Sequence, residues 1–233
     1  MPRPLRSILI GICLSAASGW ITTATAQSWP DTFTARLEAL ALLQTLNADL
    51  LSHDSATATL QRWCESHHMA PTPHIVAVRV RVDPKPPSDE QRQALHVAAN
   101  DSVGYRHVQL SCGALVLSEA DNWYVPARLT AQMNQQLENS DVPFGVVVHD
   151  LHFQRHTLSA RLLWMPLPPD WEMHTADMAR TSGKLAVPAQ VLEHRAVLSL
   201  PDGTPFSEVV ETYTGNVLAF PLPEQQDAQP ERH

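Results

Sequence analysis

The chain has 233 residues, of which 44% are hydrophobic, and its formal net charge at neutral pH is −8. Only 16 residues are lysine or arginine, and they form no basic run. Since nucleic acids and anionic lipids are bound by clustered positive charge, this composition argues against both kinds of partner. One or two well-placed arginines can still bind a small carboxylate, because that pairing is bidentate and short-ranged.

The first 26 residues have the layout of a secretory signal. Arg3 and Arg6 precede an apolar run over residues 8–17, and Ala24-Thr25-Ala26 supplies the small residues of a cleavage site. We therefore predict cleavage after Ala26 and a periplasmic or secreted protein, with the net charge moving from −8 to −10 as two arginines are removed. The apolar run is too short to span a bilayer, so we expect no stable membrane insertion.

The remainder of the chain is long enough to bury one core. We predict a single domain over residues 27–220 and a disordered tail over 221–233, which is proline-rich, charged and poor in apolar residues. Two cysteines remain in the domain, Cys64 and Cys112. They leave two alternatives open, a disulfide or two buried thiols.

Apolar spacing and turn residues predict the elements in chain order. The predicted helices are 31–51, 58–67 with Asp54 or Ser55 as its cap, 88–95 opened by a capping box of Ser88 and Gln91, and 130–138. The predicted extended segments are 75–82, a hairpin of 105–110 and 115–124, then 146–153, 158–164 and a last hairpin over 189–220. This order predicts an α+β fold, in which an antiparallel sheet is flanked by helices.

The last hairpin carries a carboxylate where an apolar residue is expected. Apolar and polar residues alternate on both sides of the turn at residues 201–205, and Glu211 lies in the apolar second strand. A buried carboxylate needs a partner or a function, so Glu211 is a candidate site residue.

Several local patterns occur in a fixed order between residues 35 and 220. They are Asp54-Ser55-Ala56-Thr57 at the start of the second helix, Arg106 in the strand 105–110, Pro126 at a strand end, Pro143-Phe144-Gly145, and the span 195–213 with its arginine, Gly-x-Pro turn and Glu-x-aromatic sequence. Together they resemble the chorismate pyruvate-lyase family and the related UTRA-type effector-binding domains of some bacterial regulators, that is, the chorismate lyase-like superfamily. The resemblance implies the same α+β fold.

The resemblance also implies a reaction and a site. The family splits chorismate into 4-hydroxybenzoate and pyruvate in a small closed pocket without a metal, so the resemblance implies no cofactor and no metal. Arg106 would bind the ring carboxylate, and Glu211 would face the hydroxyl end of the ring, where a carboxyl shifted toward its neutral form could exchange a proton. Phe144, Gly145 and Ala56 would close the pocket.

Two departures from the family pattern leave the function open. Asn122 stands where the enzymes carry a second arginine, and the spacing before Glu211 is one residue longer, so Glu208 could face inward instead. Two hypotheses therefore stand. The chain is either an exported carbon–oxygen lyase or an exported non-catalytic protein that binds a small aromatic carboxylic acid, such as chorismate or a hydroxybenzoate.

Overall fold

The computed structural model describes residues 29–173 and 183–220; the predicted signal segment 1–26 and the predicted tail 221–233 lie outside them. The helices are α1 Phe33–Leu51, α2 Ala56–Ser66, α3 Asp89–Ala94, α4 Ala131–Asn139 and α5 Phe144–Val147. The strands are β1 Ile75–Val80, β2 Gly104–Cys112, β3 Leu115–Tyr124, β4 Gln154–Leu162, β5 Gln190–Ser199 and β6 Pro205–Thr214. Along the described ranges, no helix combines the length and the apolar character needed to cross a membrane.

The strands form one antiparallel sheet in the order β1-β2-β3-β6-β5-β4. The closing hairpin of β5 and β6 pairs with β3, so β6 lies in the interior of the sheet rather than at its edge. This architecture confirms the predicted α+β class, with an antiparallel sheet flanked by helices.

One face of the sheet, called the inner face here, carries the Arg106, Val108 and Leu110 side chains of β2. Two groups of helices cover its two ends. In the first apolar cluster, α1 and α2 pack on the sheet through Leu43, Leu46, Leu60, Trp63, Leu110, Leu192 and Tyr213. In the second apolar cluster, α4 and α5 pack on it through Met133, Leu137, Phe144, Val147, Tyr124 and Leu198.

The local signals for α2 and α3 are present as predicted. The Ser55 side chain accepts from the backbone N–H of Ala58, and Ser88 and Gln91 form a reciprocal capping box. The two cysteines form a disulfide, with an S–S distance of 2.04 Å between Cys64 on α2 and Cys112 at the end of β2. Of the two alternatives left open by the sequence, the structure therefore has the disulfide, which ties α2 to the sheet.

The prediction of an extended segment over residues 146–153 is wrong. The chain forms α5 and then a 3₁₀ turn over His149–Leu151, and β4 begins only at Gln154. The valine-rich sequence favours a strand by propensity, but Phe144, Val147 and Val148 recur at helical spacing and enter the second apolar cluster together. Tertiary packing has overridden local propensity here.

Candidate functional site

Arg106 is the most unusual side chain of the inner face. It is only 1% exposed, and its Nη2 donates to the backbone oxygen of Ser140 at 3.0 Å. Among the residues that the structure describes, no group accepts a hydrogen bond from its Nε or Nη1. A buried, charged donor without an acceptor is costly, so this guanidinium marks a place where an anion would be favoured.

The surroundings of Arg106 leave its charge uncompensated. Burial and the nearby Arg79 lower the pKa of Arg106, while Tyr124 and Asp141 act in the opposite direction. An arginine keeps its proton at neutral pH despite such a shift, because its ordinary pKa lies so high. The site is therefore cationic within a protein whose net charge is −8.

A cavity opens beside Arg106 at one edge of the sheet. The strands β1 and β2 pair as far as Val80 and His107 and then separate. The cavity at this fork has a volume of about 200 Å³ and is lined by Arg79, Val80, Arg81, Val82, Pro84, Tyr105, Arg106 and His107. Drug-sized ligands occupy cavities of roughly 300–1,000 Å³, so this one fits the anionic head of a small ligand rather than a large molecule.

Short side chains occupy the inner face between the two apolar clusters. Asn122, Val209 and Ala196 follow Arg106 in successive register across β3, β6 and β5. All are buried, and Asn122 Oδ1 accepts from the Ser207 hydroxyl at 3.0 Å. Asn122 therefore lies directly beside Arg106, where it contributes no positive charge.

A second polar group lies along the same face, centred on Glu211. Its Oε2 accepts from Arg155 Nη2 at 2.6 Å and from the Tyr213 hydroxyl at 3.2 Å, and its Oε1 lies 3.5 Å from Arg155 Nη1. The Arg155 and Glu211 side chains are each 10% exposed, so the ion pair is nearly buried. Burial and the Glu211 charge raise the pKa of Tyr213, which remains a neutral donor.

His194 extends this polar group toward α1. It stands opposite Glu211 in the register of β5 and β6, and its Nε2 lies 2.8 Å from Asn47 Oδ1. Burial lowers the pKa of His194, Glu211 raises it and Arg155 lowers it further, so that the net shift is downward. The imidazole is therefore neutral at neutral pH and, with Asn47 oxygen as acceptor, carries its proton on Nε2.

The two carboxylates considered from the sequence lie on opposite faces. Glu211 shares the inner face with Arg106, since Arg106 and Asn122 are register partners and Ala120, two residues before Asn122, pairs with Glu211. Glu208 is fully buried on the other face, where its Oε1 accepts from Arg195 at 2.9 Å. Side chains alternate between the two faces along β6, so Glu208 does not face Arg106 and the alternative that placed it there is wrong.

The three residues expected to close the pocket take different positions. Phe144 is buried in the second apolar cluster, with its ring centroid 5.7 Å from that of Tyr124. Gly145 is exposed, and a Cβ there would meet no heavy atom within 4 Å, so the structure does not bring it to the site. Ala56 opens α2 and packs against the first apolar cluster. Asp54, which lies just before α2, interacts electrostatically with Arg155, so the start of α2 is close to the Glu211 group.

The sequence reasoning missed Arg79, Arg155 and His194. Arg155 was hidden because the strand that carries it was predicted to begin at residue 158, whereas alternation from Gln154 puts its side chain on the inner face. Arg79 and His194 lie in correctly predicted strands, but only the long-range pairing shows what they adjoin. Within residues 29–173 and 183–220, no three His, Cys, Asp or Glu side chains are arranged to hold a metal ion.

The fold and the buried arginine define an α+β domain with a cationic position on the covered face of an antiparallel sheet. The chain belongs to the same family as the "Uncharacterized protein y4mC" of Sinorhizobium fredii (strain NBRC 101917 / NGR234), to which it is 57% identical over 198 residues, or 84% of each chain. No family model matches the sequence.

Solved structures with which the chain shares a partial likeness include bacterial regulators. PhnF from Mycobacterium smegmatis has a TM-score of 0.45 at 10% identity, covering 72% of this chain and 67% of PhnF. The effector domain of PhnF gives 0.42 at 10% identity, covering 70% and 89% of the two chains. A GntR-family regulator from Enterococcus faecalis V583 gives 0.40 at 16% identity, covering 64% and 100%.

The periplasmic or secreted location predicted from residues 1–26 differs from the descriptions of these structures, which are of a transcriptional regulator and an effector domain. That prediction is corrected accordingly, and the segment on which it was based lies outside the described residues.

Proposed function

We propose that this domain binds a small aromatic carboxylic acid, with Arg106 as the residue that holds the carboxylate. The observation that carries the proposal is the buried guanidinium whose Nε and Nη1 find no acceptor in the described part of the chain. An arginine has five N–H donors, and the bond to Ser140 uses one of them. The second N–H of Nη2, together with an N–H of either Nε or Nη1, can therefore meet the two oxygens of a carboxylate in parallel, charge-assisted hydrogen bonds.

The neighbours of Arg106 favour an aromatic ligand body. Tyr124 acts electrostatically on Arg106 and is therefore close to it, and its ring lies next to that of Phe144. Gly104 makes this position possible, because a Cβ there would lie 2.5 Å from the Tyr124 ring. Aromatic faces and short apolar side chains such as Val209 supply dispersion contacts for a flat ring.

The Glu211 group offers a polar contact at the other end of such a ligand. Counting two strand spacings and two residues along the strand, the Cα atoms of Arg106 and Glu211 are about 12 Å apart. Side chains from both positions project over the same face, so a single aromatic ring with polar ends that is bound at Arg106 and extends along this face would reach the Glu211 group. A para hydroxyl could donate to Glu211 or accept from Arg155.

The proposal does not include turnover of chorismate. The lyase hypothesis needs a Glu211 carboxyl group that is free to exchange a proton with the ligand, but both of its oxygens already accept hydrogen bonds from Arg155 or Tyr213. Purified protein incubated with chorismate would then release no pyruvate above the blank.

Ligand-dependent thermal stability tests the proposal. Benzoate, 3-hydroxybenzoate, 4-hydroxybenzoate and chorismate would each be titrated against wild type, Arg106→Gln and the control Arg161→Gln, whose side chain is 63% exposed. At a concentration of 100 Kd a bound ligand adds about 2.7 kcal/mol to the free energy of unfolding. We expect wild type and Arg161→Gln to respond equally and Arg106→Gln not to respond. The absence of any shift in wild type, or an equal shift in Arg106→Gln, would refute the proposal.

A further inference from the structure

Arg79 on β1 and Arg106 on β2 approach each other on the inner face. Arg79 pairs with Val108, the residue two positions after Arg106, so the two arginines are diagonal neighbours. Arg79 Nη1 donates to the backbone oxygens of Leu137, at 3.0 Å, and of Glu138, while Arg106 donates to that of Ser140. Both guanidinium groups therefore converge on the C-terminal end of α4.

The same two side chains line the cavity of about 200 Å³ at the fork of β1 and β2, and the exposed Arg81 lies at its rim. The acidic side chains that act on Arg106 or Tyr124 are Asp141 and Glu138, and both are exposed. Positive charge is thus in excess around the buried part of the cavity. The mutual repulsion of Arg79 and Arg106 is consistent with this, since it lowers the pKa of Arg106.

We propose that Arg79 is the second cation of this anion site and that the ligand presents a doubly charged oxyanion head, a dicarboxylate or a phosphate-type group, on its aromatic body. The inference rests on the anion site at Arg106 that the proposed function assigns, and it specifies the charge of the group bound there. It also explains how the site compensates for Asn122, which lies beside Arg106 without a charge. The second positive charge comes from β1, on the other side of Arg106 in the sheet.

A second negative charge on the ligand adds an interaction with Arg79. When a single carboxylate binds Arg106, the charge of Arg79 still interacts with the carbonyl groups at the end of α4. A dianion interacts with Arg79 as well. An additional partly buried charge pair strengthens binding, because the attraction between two charges is reduced less there than in bulk water. After screening and the cost of desolvation, we expect about a tenfold gain in affinity.

Three aromatic probes of similar size separate the possibilities by isothermal titration calorimetry. Benzoate carries one charge, phthalate carries two carboxylates, and phenyl phosphate is a dianion at about pH 8 because its second pKa is near 6. Wild type should bind at least one dianion about tenfold more tightly than benzoate. Phthalate as the tighter probe indicates a dicarboxylate, in agreement with the proposed function, whereas tight binding of phenyl phosphate alone would keep Arg79 as the second cation but replace the carboxylate of the proposed function by a phosphate.

Variants of Arg79 identify the residue responsible. Arg79→Gln should weaken dianion binding about tenfold more than benzoate binding and so remove the preference for the dianion, whereas Arg79→Lys should retain most of the preference and Arg161→Gln all of it. Equal affinity of wild type for the three probes, or a dianion preference that survives Arg79→Gln, would overturn this inference and leave the proposed function standing. If no probe binds, or if binding survives Arg106→Gln, the proposed function fails as well.

Discussion

Arg106 and Arg155 are two inner-face arginines in opposite situations. Arg155 has a carboxylate partner in Glu211 at 2.6 Å, whereas Arg106 has a single backbone acceptor and two nitrogens without a partner among the described residues. A buried charge with a partner stabilises the fold only modestly, but removing one member of the pair is costly. A buried charge without a partner destabilises the unliganded fold, and such a group is retained for function.

This contrast predicts opposite effects of the same substitution. Arg106→Met removes an uncompensated charge and should raise the free energy of unfolding by about 1 kcal/mol, after the loss of the Ser140 hydrogen bond is counted. Arg155→Met leaves Glu211 buried without its cation and should lower the free energy of unfolding by about 3 kcal/mol. Urea denaturation of the two variants and wild type measures both. If Arg106→Met destabilised the unliganded protein as much as Arg155→Met does, Arg106 would have a purely structural role.

At the scale of elements, the inner face is covered by two separate groups of helices. The first apolar cluster brings α1 and α2 over one end of the sheet, and the second brings α4 and α5 over the other. The polar side chains from Arg106 to Glu211 lie between the clusters. Asn47 connects α1 to these polar side chains, because it forms a hydrogen bond with His194 of β5.

The burial of His194 under α1 makes stability depend on pH. The folded-state pKa of His194 lies below its ordinary value of 6.5, so in acid the unfolded chain binds a proton that the folded protein does not. Stability contributed by the neutral imidazole is present above pH 6.5 and is lost as the pH falls toward the folded pKa. His194→Gln should flatten this part of the stability curve, while His149→Gln, at a side chain 79% exposed, should not. A His194→Gln curve parallel to that of wild type would contradict the assignment.

The elements and the site were predictable from the sequence to different degrees. Alternation and turn residues predicted the strands that carry Arg106 and Glu211, because those signals are local. Their placement on one face depends on the pairing of β3 with β6, which is a long-range contact. The segment 146–153 was predicted as a strand because its valines favour one, whereas its helix packs against Phe206 and Tyr124, which are distant in the sequence. Arg155 was missed because the next strand was predicted to begin at residue 158 rather than at Gln154.

At the scale of the whole molecule, an acidic protein presents a cationic site on the covered face of its sheet. The net charge of −8 is compatible with this, because Arg79, Arg81 and Arg106 are concentrated at one fork between two strands. A second cavity, of about 550 Å³, lies away from this site and is lined mainly by apolar residues that include Trp29, Leu185 and Leu218. The described residues of its lining include no arginine, so they offer no guanidinium group to an anionic head.

The position of a bound aromatic carboxylate tests the central claim most directly. A crystal structure of the protein with the tightest ligand from the thermal-shift panel should show carboxylate oxygens within about 3 Å of the Arg106 guanidinium nitrogens, in the charge-assisted geometry of such pairs. The Arg155 and Glu211 pair should remain intact at the other end of the ligand. A ligand bound in the apolar cavity beside Trp29, with the Arg106 nitrogens still lacking an acceptor, would contradict the assignment of the site.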